Sequence, residues 1–420
     1  MNKKLFPILS AFLLLFSLIE KGQATETYRP ETSVAGFIQL PGSGRQVYNF
    51  NPGWRFFKGD IHGAESVDFD DRSWTIVSTP HTVELMPAEA SGCRNYQGPA
   101  WYRKHFVLPA ETKGKRVLIH FEAAMGKQVL YLNGKRIQEH VGGYLPFTLD
   151  LTTNGIQAGD SCLLAIFVDN SNDKSFPPGK PQYTLDFAYH GGIYRDVWMI
   201  AKSPVSITDP LDSQTVAGGG VFVHFDKISE KSAQVYVNTE LQNDNQHTET
   251  VTVETTLTDA DGKVIKRTSG KLSLKSGEKK IIRQQIEVKS PKLWSPDAPY
   301  LYKVQSRIKK GNQSIDGGIT RIGIRLAEFR GKDGFWLNGK PFVQLVGANR
   351  HQDFAYVGNA LPNSQQWRDA KRLRDAGCTI IRVAHYPQDP SFMDACDELG
   401  MFVIVATPGW QYWNKDVKFG

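Results

Sequence analysis

The chain contains few cysteines. Only four occur among 420 residues, which is too sparse for a scaffold held together by disulfides. No two of them have the CxxC spacing of a redox or zinc motif. We therefore expect mostly buried thiols, and a single disulfide pair stays compatible with the sequence. The four positions are Cys93, Cys162, Cys378 and Cys396.

Charge is also limited. Charged residues make up 22% of the chain, and 50 Lys and Arg against 43 Asp and Glu give a formal net charge of +7 at pH 7. The basic residues are scattered and form no run joined to aromatic repeats, so nucleic acid is not an expected partner. Because 40% of the residues are hydrophobic, the chain can bury sizeable cores. This excludes a disordered protein and predicts about two to four domains.

The sequence has one long hydrophobic run, at its N-terminus. Lys3 and Lys4 precede fifteen mostly apolar residues, Leu5 to Ile19, and a small-x-small cleavage site follows at 22–24. This order predicts a cleavable signal peptide over residues 1–24 and therefore a periplasmic or secreted protein. A membrane anchor is the alternative, but the run contains Pro7 and is shorter than the ~20 residues of a spanning helix. The residue directly after the cleavage site is not a cysteine, which disfavours a lipoprotein.

Helical periodicity is missing from residues 25–325, where short β-type runs alternate with turns. In the first part, Asn133-Gly134 supplies a hairpin turn because both residues tolerate positive φ. Many short strands without helices predict a jelly-roll β-sandwich over 25–204. The apolar alternation is cleaner in the next part, with Asp261-Gly262 as a turn, and predicts an immunoglobulin-like sandwich over 205–325.

The pattern changes over residues 326–420, where buried strands alternate with helices. We expect one helix with Ser364 as N-cap and Gly377 as terminator, and a second with Asp389 as N-cap, Pro390 at its first position and Gly400 at its end. The strands lie in the segments "FVQLVGANRH", "TIIRVAHYP" and "MFVIVATPG". This order predicts a parallel sheet covered by helices, the start of either a (β/α)₈ barrel or a doubly wound sheet.

A charged residue stands in the second of these apolar strands. A guanidinium at Arg382 is costly to desolvate unless an anion faces it, so we expect a carboxylate partner or an anionic ligand. His385 and His351 lie at strand ends, which form the mouth of a barrel, so both should face one pocket. The alternative is structural: an arginine paired with a structural glutamate, and histidines bonded to backbone carbonyls. A zinc site is disfavoured, because no third ligand stands at metal-binding spacing.

Several motifs, taken together, resemble glycoside hydrolase family 2, which contains β-galactosidases, β-glucuronidases and β-mannosidases. The resemblance covers nearly the whole chain after residue 24 and keeps the family order. Most of the motifs fall in the two sandwich segments. The motifs are "NPGWRFFKGD", "STPHTVE", "GPAWYRKHF", "HVGGYLPFTLD", "DFAYHGGIYRDV", "LWSPDAPYLY", "GANRHQD" and "RVAHYPQDPSFMDACDELGMFVIV".

The resemblance implies roles for four residues. Arg382 matches the arginine that holds the nucleophilic glutamate. His351 and His385 match histidines that hydrogen-bond the sugar and help to stabilise the transition state. Asp186 matches an aspartate that the jelly-roll domain contributes to sugar hydroxyls, although a plain turn aspartate is the alternative. The last domain would then be the first three strands of a (β/α)₈ TIM barrel, incomplete at residue 420.

The sequence also departs from the family. Many members have an Asp-Glu pair after the third barrel strand, where this chain reads "IVATPGWQYW". A magnesium site is therefore doubtful, and we expect neither a metal nor another cofactor. Trp410 in this loop could stack on a sugar or simply pack in the loop. The family places its acid/base and nucleophilic glutamates after the fourth and seventh strands, so we expect both beyond Gly420.

The resemblance favours an exported, retaining exo-glycosidase that acts on terminal β-linked sugars, with a β-galactosidase as the preferred reading. A β-glucuronidase or β-mannosidase of the same family is an alternative, as is a lectin-like sandwich protein or an adhesin. The expected partner is an oligo- or polysaccharide, and the full-length protein could form homo-oligomers. We also expect that the incomplete barrel is loosely folded and that residues 1–420 alone do not catalyse hydrolysis.

Overall fold

Among the described residues, ten strands in the first half of the chain form two facing antiparallel sheets. The computed structural model describes residues 38–86, 95–213, 215–216, 218–342 and 345–407. A four-stranded sheet has the order β1-β10-β5-β8, and a six-stranded sheet has the order β3-β2-β4-β9-β6-β7. The strands are β1 (Gln46–Asn49), β2 (Trp54–Lys58), β3 (Thr75–Val77), β4 (Pro99–Val107), β5 (Arg116–Phe121), β6 (Lys127–Leu132), β7 (Lys135–Val141), β8 (Phe147–Asp150), β9 (Ser161–Asp169) and β10 (Val197–Lys202).

The core of this jelly-roll sandwich lies between the two sheets. Its centre is built from large apolar side chains of both sheets, such as Trp54 and Leu130 from one and Ile119 and Phe121 from the other. The expected hairpin turn joins β6 to β7, with φ of 50° at Asn133 and 81° at Gly134. Both values lie in the left-handed region that Asn and Gly adopt readily.

In the described part of the second sandwich, eight antiparallel strands form two sheets. In one sheet β13 is central and pairs with β11, β12 and β16; the other has the order β15-β14-β17-β18. Alternation along the first eight residues of β13 buries every second residue, including Val235 and Val237 in the core between the sheets. The strands are β11 (Val205–Ile207), β12 (Val221–Asp226), β13 (Ser232–Asn243), β14 (Glu249–Thr258), β15 (Val264–Leu274), β16 (Lys279–Lys289), β17 (Tyr302–Lys310) and β18 (Gln313–Ile322).

A small antiparallel sheet, β19-β20-β21, leads into a parallel sheet of order β22-β23-β24. Two helices connect the parallel strands and cover one face of their sheet, where Ile381, Val383, Ala370 and Phe392 form a core. The elements are β19 (Ala327–Phe329), β20 (Phe335–Leu337), β21 (Lys340–Pro341), β22 (Gly347–Arg350), α1 (Asn363–Asp375), β23 (Ile380–Val383), α2 (Pro390–Leu399) and β24 (Phe402–Val405). The predicted strand-helix-strand-helix-strand order is confirmed.

The two helix starts differ in how well the sequence predicted them. For α2 the prediction is confirmed: the Asp389 carboxylate accepts from the Ser391 backbone N–H at 2.8 Å, and Gly400 ends the helix with φ of 76°. For α1 the prediction of Ser364 as N-cap is wrong. The helix begins at Asn363, and the backbone carbonyl of Pro362 accepts from the first turn. The helix thus starts two residues earlier than predicted, and the side chain of its first residue, Asn363, donates to Asp196 of the jelly roll.

Ion pairs connect neighbouring domains at two places. Arg45 of the jelly roll forms two hydrogen bonds of 2.8 Å with Asp316 of the second sandwich. Arg321 of that sandwich pairs with Asp394 and Glu398 on α2. The barrel segment is thus fixed to the sandwich that precedes it.

Two further predictions concern the cysteine thiols and the hydrophobic run at the N-terminus. Cys162, Cys378 and Cys396 are free and buried, as predicted, whereas Cys93 lies outside the described residues. The predicted signal peptide also lies outside them. None of the helices in the described ranges is long and apolar enough to cross a membrane.

Candidate functional site

Arg382 lies on the face of the parallel sheet that the helices leave open. It aligns with Asn349 on β22 and Ile404 on β24, and aligned residues of neighbouring parallel strands point to the same side. Its neighbours along the strand, Ile381 and Val383, point to the helices and are fully buried. In the part of the chain that the structure describes, no carboxylate forms an ion pair with Arg382, so the anion expected from its position is not among these residues.

The two strand-end histidines meet beside an aromatic side chain from another domain. The rings of His351 and His385 lie 5.3 Å apart between centroids, as expected for two neighbouring strand ends. Phe187 of the jelly roll stacks on His351 at 5.3 Å and lies 5.6 Å from His385. The jelly roll therefore forms one wall of the pocket.

Tyr386 supports His351 from beneath. It is almost completely buried and stacks on Tyr144 of the jelly roll, with 4.3 Å between ring centroids. Burial raises the pKa of Tyr386 far above the usual range, so the phenol keeps its proton. Its hydroxyl lies 3.3 Å from Nδ1 of His351 and accepts from the backbone N–H of Gln352. The phenol can donate to Nδ1 of His351 or accept from it; in the first arrangement the neutral imidazole carries its proton on Nε2, where it can donate to a ligand.

Both histidines are neutral at pH 7. Burial lowers the pKa of His351, and the charges of Arg382 and Arg350 lower it further, while Asp186 opposes them. Burial also lowers the pKa of His385, and His351 and Arg382 act in the same direction. Neutral imidazoles each offer one donor and one acceptor, which suits hydroxyl groups better than ionic ligands.

Asp186 lies close enough to both histidines to oppose the fall in their pKa values. Its side chain is exposed and follows a short 3₁₀ turn, Gln182–Thr184. The loop is held by its apolar neighbours, since Phe187 packs with Tyr144 and Tyr386 in one buried cluster. The structure thus brings four of the five sequence-predicted site residues together: Asp186, His351, Arg382 and His385. Trp410 lies outside the described residues.

A glycine fixes the path of the chain after this loop. Gly192 has φ of 118°, and a Cβ atom there would lie 2.5 Å from the carbonyl oxygen of His81. Any other residue would push the loop away from the sandwich. The sequence motif "GGIYR" therefore combines a close backbone approach with the buried arginine that follows it, Arg195.

Sequence reasoning missed four residues that shape the pocket: Phe187, Tyr386, Tyr144 and Arg195. Two of them stand next to predicted residues, since Phe187 follows Asp186 and Tyr386 follows His385. That adjacency was the available signal. Within the described ranges, no group of three or more His, Cys, Asp or Glu side chains is placed to hold a metal ion.

A buried carboxylate between the jelly roll and α1 predicts a pH dependence of stability. Asp196 accepts from the side-chain amides of Asn51 at 2.9 Å and Asn363 at 2.8 Å. Burial and the charge of Asp389 raise the pKa of Asp196 to about 6. An acid with a raised folded-state pKa stabilises the fold when protonated. This contribution is complete below the unfolded pKa near 4 and is lost as the pH rises through 6.

We expect Asp196→Asn to reduce the loss of stability between pH 5 and pH 8 by about 1 kcal/mol. The amide of Asn363 can rotate, so an asparagine at 196 keeps both hydrogen bonds. Urea unfolding at the two pH values checks this, with Asp375→Asn on the solvent side of α1 as the matched control. An unchanged pH dependence in Asp196→Asn would refute the assignment.

Comparisons with known proteins match the chain to one family throughout. The model "Glycosyl hydrolases family 2, sugar binding domain" matches residues 64–204, "Glycosyl hydrolases family 2" matches 219–325, and "Glycosyl hydrolases family 2, TIM barrel domain" matches 329–415. The last match identifies the parallel sheet as the start of a (β/α)₈ barrel rather than a doubly wound sheet.

Curated relatives carry two different activities. A β-galactosidase of Thermoanaerobacter pseudethanolicus is 36% identical over 88% of this chain and 47% of its own length. A β-glucuronidase of Formosa agariphila is 33% identical over 90% of this chain and 39% of its own length. The chain therefore spans about half the length, or less, of these relatives.

A solved structure shows the same arrangement of domains. It is Bacteroides uniformis β-glucuronidase 2, covalently bound to cyclophellitol-6-carboxylate aziridine, which is 32% identical to this chain. The match has a TM-score of 0.77 and covers 86% of this chain and 42% of that one.

Proposed function

Because this chain belongs to glycosyl hydrolases family 2, we propose that it is the N-terminal part of an exported, retaining exo-glycosidase that removes terminal β-linked sugars, with β-galactosides as substrates. The observation that carries the proposal is the pocket in which Asp186 of one domain meets His351, His385 and Arg382 of another. Such a pocket binds a single terminal sugar from two sides.

The chemistry of the described residues fits a neutral hexose. The carboxylate of Asp186 accepts hydrogen bonds from sugar hydroxyls, and the two neutral imidazoles can each donate to or accept from another hydroxyl. Asp186 also brings negative charge, which disfavours a sugar carboxylate close to it. These features support a galactoside over a glucuronide.

The reaction would proceed by double displacement. A retaining glycosidase uses two carboxyl groups about 5 to 5.5 Å apart, one as acid/base and one as nucleophile. We propose that both are glutamates beyond Gly420, after the fourth and seventh barrel strands. Arg382, on the open face of β23, would hold the nucleophilic carboxylate ionised and correctly oriented. His351 and His385 would bind hydroxyls more strongly as positive charge develops on the sugar ring.

The test compares residues 25–420 with a chain extended through a complete barrel of roughly 250 residues. Both are assayed on nitrophenyl β-galactoside, β-glucuronide and β-mannoside. We expect the extended chain to hydrolyse the galactoside fastest with retention of configuration, and the short chain to show no turnover. Equal turnover by both chains, an inverted product, or a preference for the glucuronide would each overturn the corresponding part of the proposal.

A sugar-binding protein without catalysis is the second candidate, because the match of residues 64–204 is to a sugar binding domain. In that case glycan binding would belong to the jelly roll alone. Calorimetry of the extended chain with galactose separates the two candidates, because binding that is unchanged in Arg382→Met favours the second.

Replacement of Asp186 tests the contribution of the jelly roll to the pocket. We expect Asp186→Ala in the extended chain to lower kcat/KM by more than about tenfold, or ~1.4 kcal/mol of transition-state binding, because one wall of the pocket loses its acceptor. Asp68→Ala, another exposed aspartate of the jelly roll, is the control. Unchanged kinetics in a folded Asp186→Ala protein would show that this carboxylate is structural.

A further inference from the structure

Arg195 connects three parts of the molecule from within the protein interior. Its side chain is 2% exposed. Nη1 donates to the carbonyl of Tyr144 in the jelly roll at 3.3 Å. Nη2 donates to the side-chain oxygen of Gln352 at 3.1 Å and to the carbonyl of Pro387 at 2.7 Å.

The two barrel acceptors lie in the loops that carry the pocket histidines. Gln352 directly follows His351 after β22, and Pro387 stands two residues after His385, beyond β23. A single guanidinium therefore holds both strand-end loops at a fixed distance from each other. It also holds them against the domain that supplies Asp186.

The aromatic stack beneath the pocket belongs to the same assembly. Tyr144, whose carbonyl accepts from Arg195, lies flat against Tyr386, and the hydroxyl of Tyr386 lies 3.3 Å from His351. Arg195 is thus linked to His351 in two ways. One link is Gln352, which follows His351 in the chain, and the other is the stacked pair Tyr144 and Tyr386.

The energetics favour a role in orientation rather than in stability. In the described part of the chain, all the hydrogen-bond acceptors of Arg195 are neutral oxygens, and no carboxylate forms an ion pair with it. The charge of Arg195 interacts with the buried Glu122 and Asp389, but neither carboxylate lies within ion-pair distance, and a buried guanidinium without a directly paired anion is expensive to desolvate and stabilises a fold poorly. Its planar fork, however, fixes several acceptors in one geometry, which a lysine cannot do.

We propose that Arg195 is a positioning residue, which sets His351 and His385 against Asp186 by tying the loops after β22 and β23 to the jelly roll. This inference rests on the proposed function only for its effect on turnover, because the placement of the two histidines can be measured without it. Small errors in the placement of such groups weaken interactions that are made in the transition state more than those made in the ground state.

The kinetic test uses Arg195→Lys in the extended chain, which keeps the charge and removes the fork. We expect kcat to fall by about 30-fold or more, with KM changed less than threefold. Arg321→Lys is the matched control, since Arg321 is equally an interdomain arginine, but its ion pairs are with α2. Because Arg321 forms ion pairs and Arg195 does not, the control should lose at least as much thermal stability as Arg195→Lys and still keep kcat/KM within threefold.

The structural test uses the 420-residue chain and NMR of the histidine rings. We expect the ring signals of His351 and His385 to shift in Arg195→Lys and to stay in place in Arg321→Lys. Unshifted signals in a folded Arg195→Lys protein would overturn the proposal, as would an active extended chain whose kcat is unaffected by Arg195→Lys. Shifted signals together with an extended wild-type chain that hydrolyses no glycoside would instead uphold the positioning role and reject the proposed function.

Discussion

Arg382→Met is expected to reduce kcat/KM of the extended chain by at least about 10³-fold, which is about 4 kcal/mol of transition-state stabilisation. Arg382 faces the open side of the sheet without an ion pair among the described residues. In a complete barrel this guanidinium would hold the nucleophilic carboxylate by charge-assisted hydrogen bonds. Methionine has a similar length but cannot orient or stabilise that anion.

The same replacement should have little effect on the 420-residue chain. In that chain Arg382 is only partly buried and has no hydrogen-bond or ion-pair partner among the described residues. We therefore expect the melting temperature of the 420-residue chain to change by less than about 2 °C. Arg368→Met on the exposed face of α1 is the control for both measurements. A large drop in the melting temperature of the short chain would identify Arg382 as structural, and turnover within tenfold of wild type would reject its proposed role.

Arg45→Met is expected to lower the free energy of unfolding at the junction of the two sandwiches by about 3 kcal/mol. Arg45 and Asp316 form a bidentate pair whose side chains are 4% and 0% exposed. Asp316 also accepts from the backbone N–H of Ile207 at 2.8 Å. Removing the arginine takes two of the three hydrogen-bond donors away from this buried carboxyl group, and that penalty dominates the change.

Urea unfolding monitored for the two sandwiches measures this effect. Arg72→Met is the matched control, because Arg72 pairs with Asp70 on the surface and exposed pairs contribute little. The double variant Arg45→Met with Asp316→Leu should recover much of the loss, since the buried carboxyl group that lost its partner is removed as well. A loss in Arg45→Met no larger than in the control would contradict this account.

Local signals in the sequence were enough for the strands and for several helix ends. Asn133-Gly134 and Asp389 act through their own backbone neighbours, so their effects can be predicted from a short window. The wrong N-cap of α1 shows where this fails. Ser364 has the right chemistry, but Asn363 bonds Asp196, which lies 167 residues away along the chain. A contact of that range carries no local signature.

Some residues of the pocket could be predicted from the sequence, but the contacts that hold them in place could not. His351 and His385 could be paired from the sequence because the carboxyl ends of neighbouring parallel strands meet at one edge. Arg382 could be singled out as a charge in an apolar strand, and the family resemblance added its role and the residue Asp186. The contacts of Arg195 with Gln352 and Pro387 span 157 and 192 residues, and they depend on how two domains dock. Neither periodicity nor residue spacing encodes that docking.

The shared wall of the pocket has a consequence for recombination between relatives. A jelly roll transplanted from another family member would replace the loop that carries Asp186 and Phe187, and with it one wall of the pocket. Arg195 and Tyr144 belong to the transplanted domain, whereas Gln352 and Pro387 belong to the barrel. The hybrid would keep its pocket only if the new domain supplied an arginine that can bond Gln352 and Pro387. Module exchange in such chains should therefore succeed when the cut falls after β10 and both sides of this junction come from compatible parents.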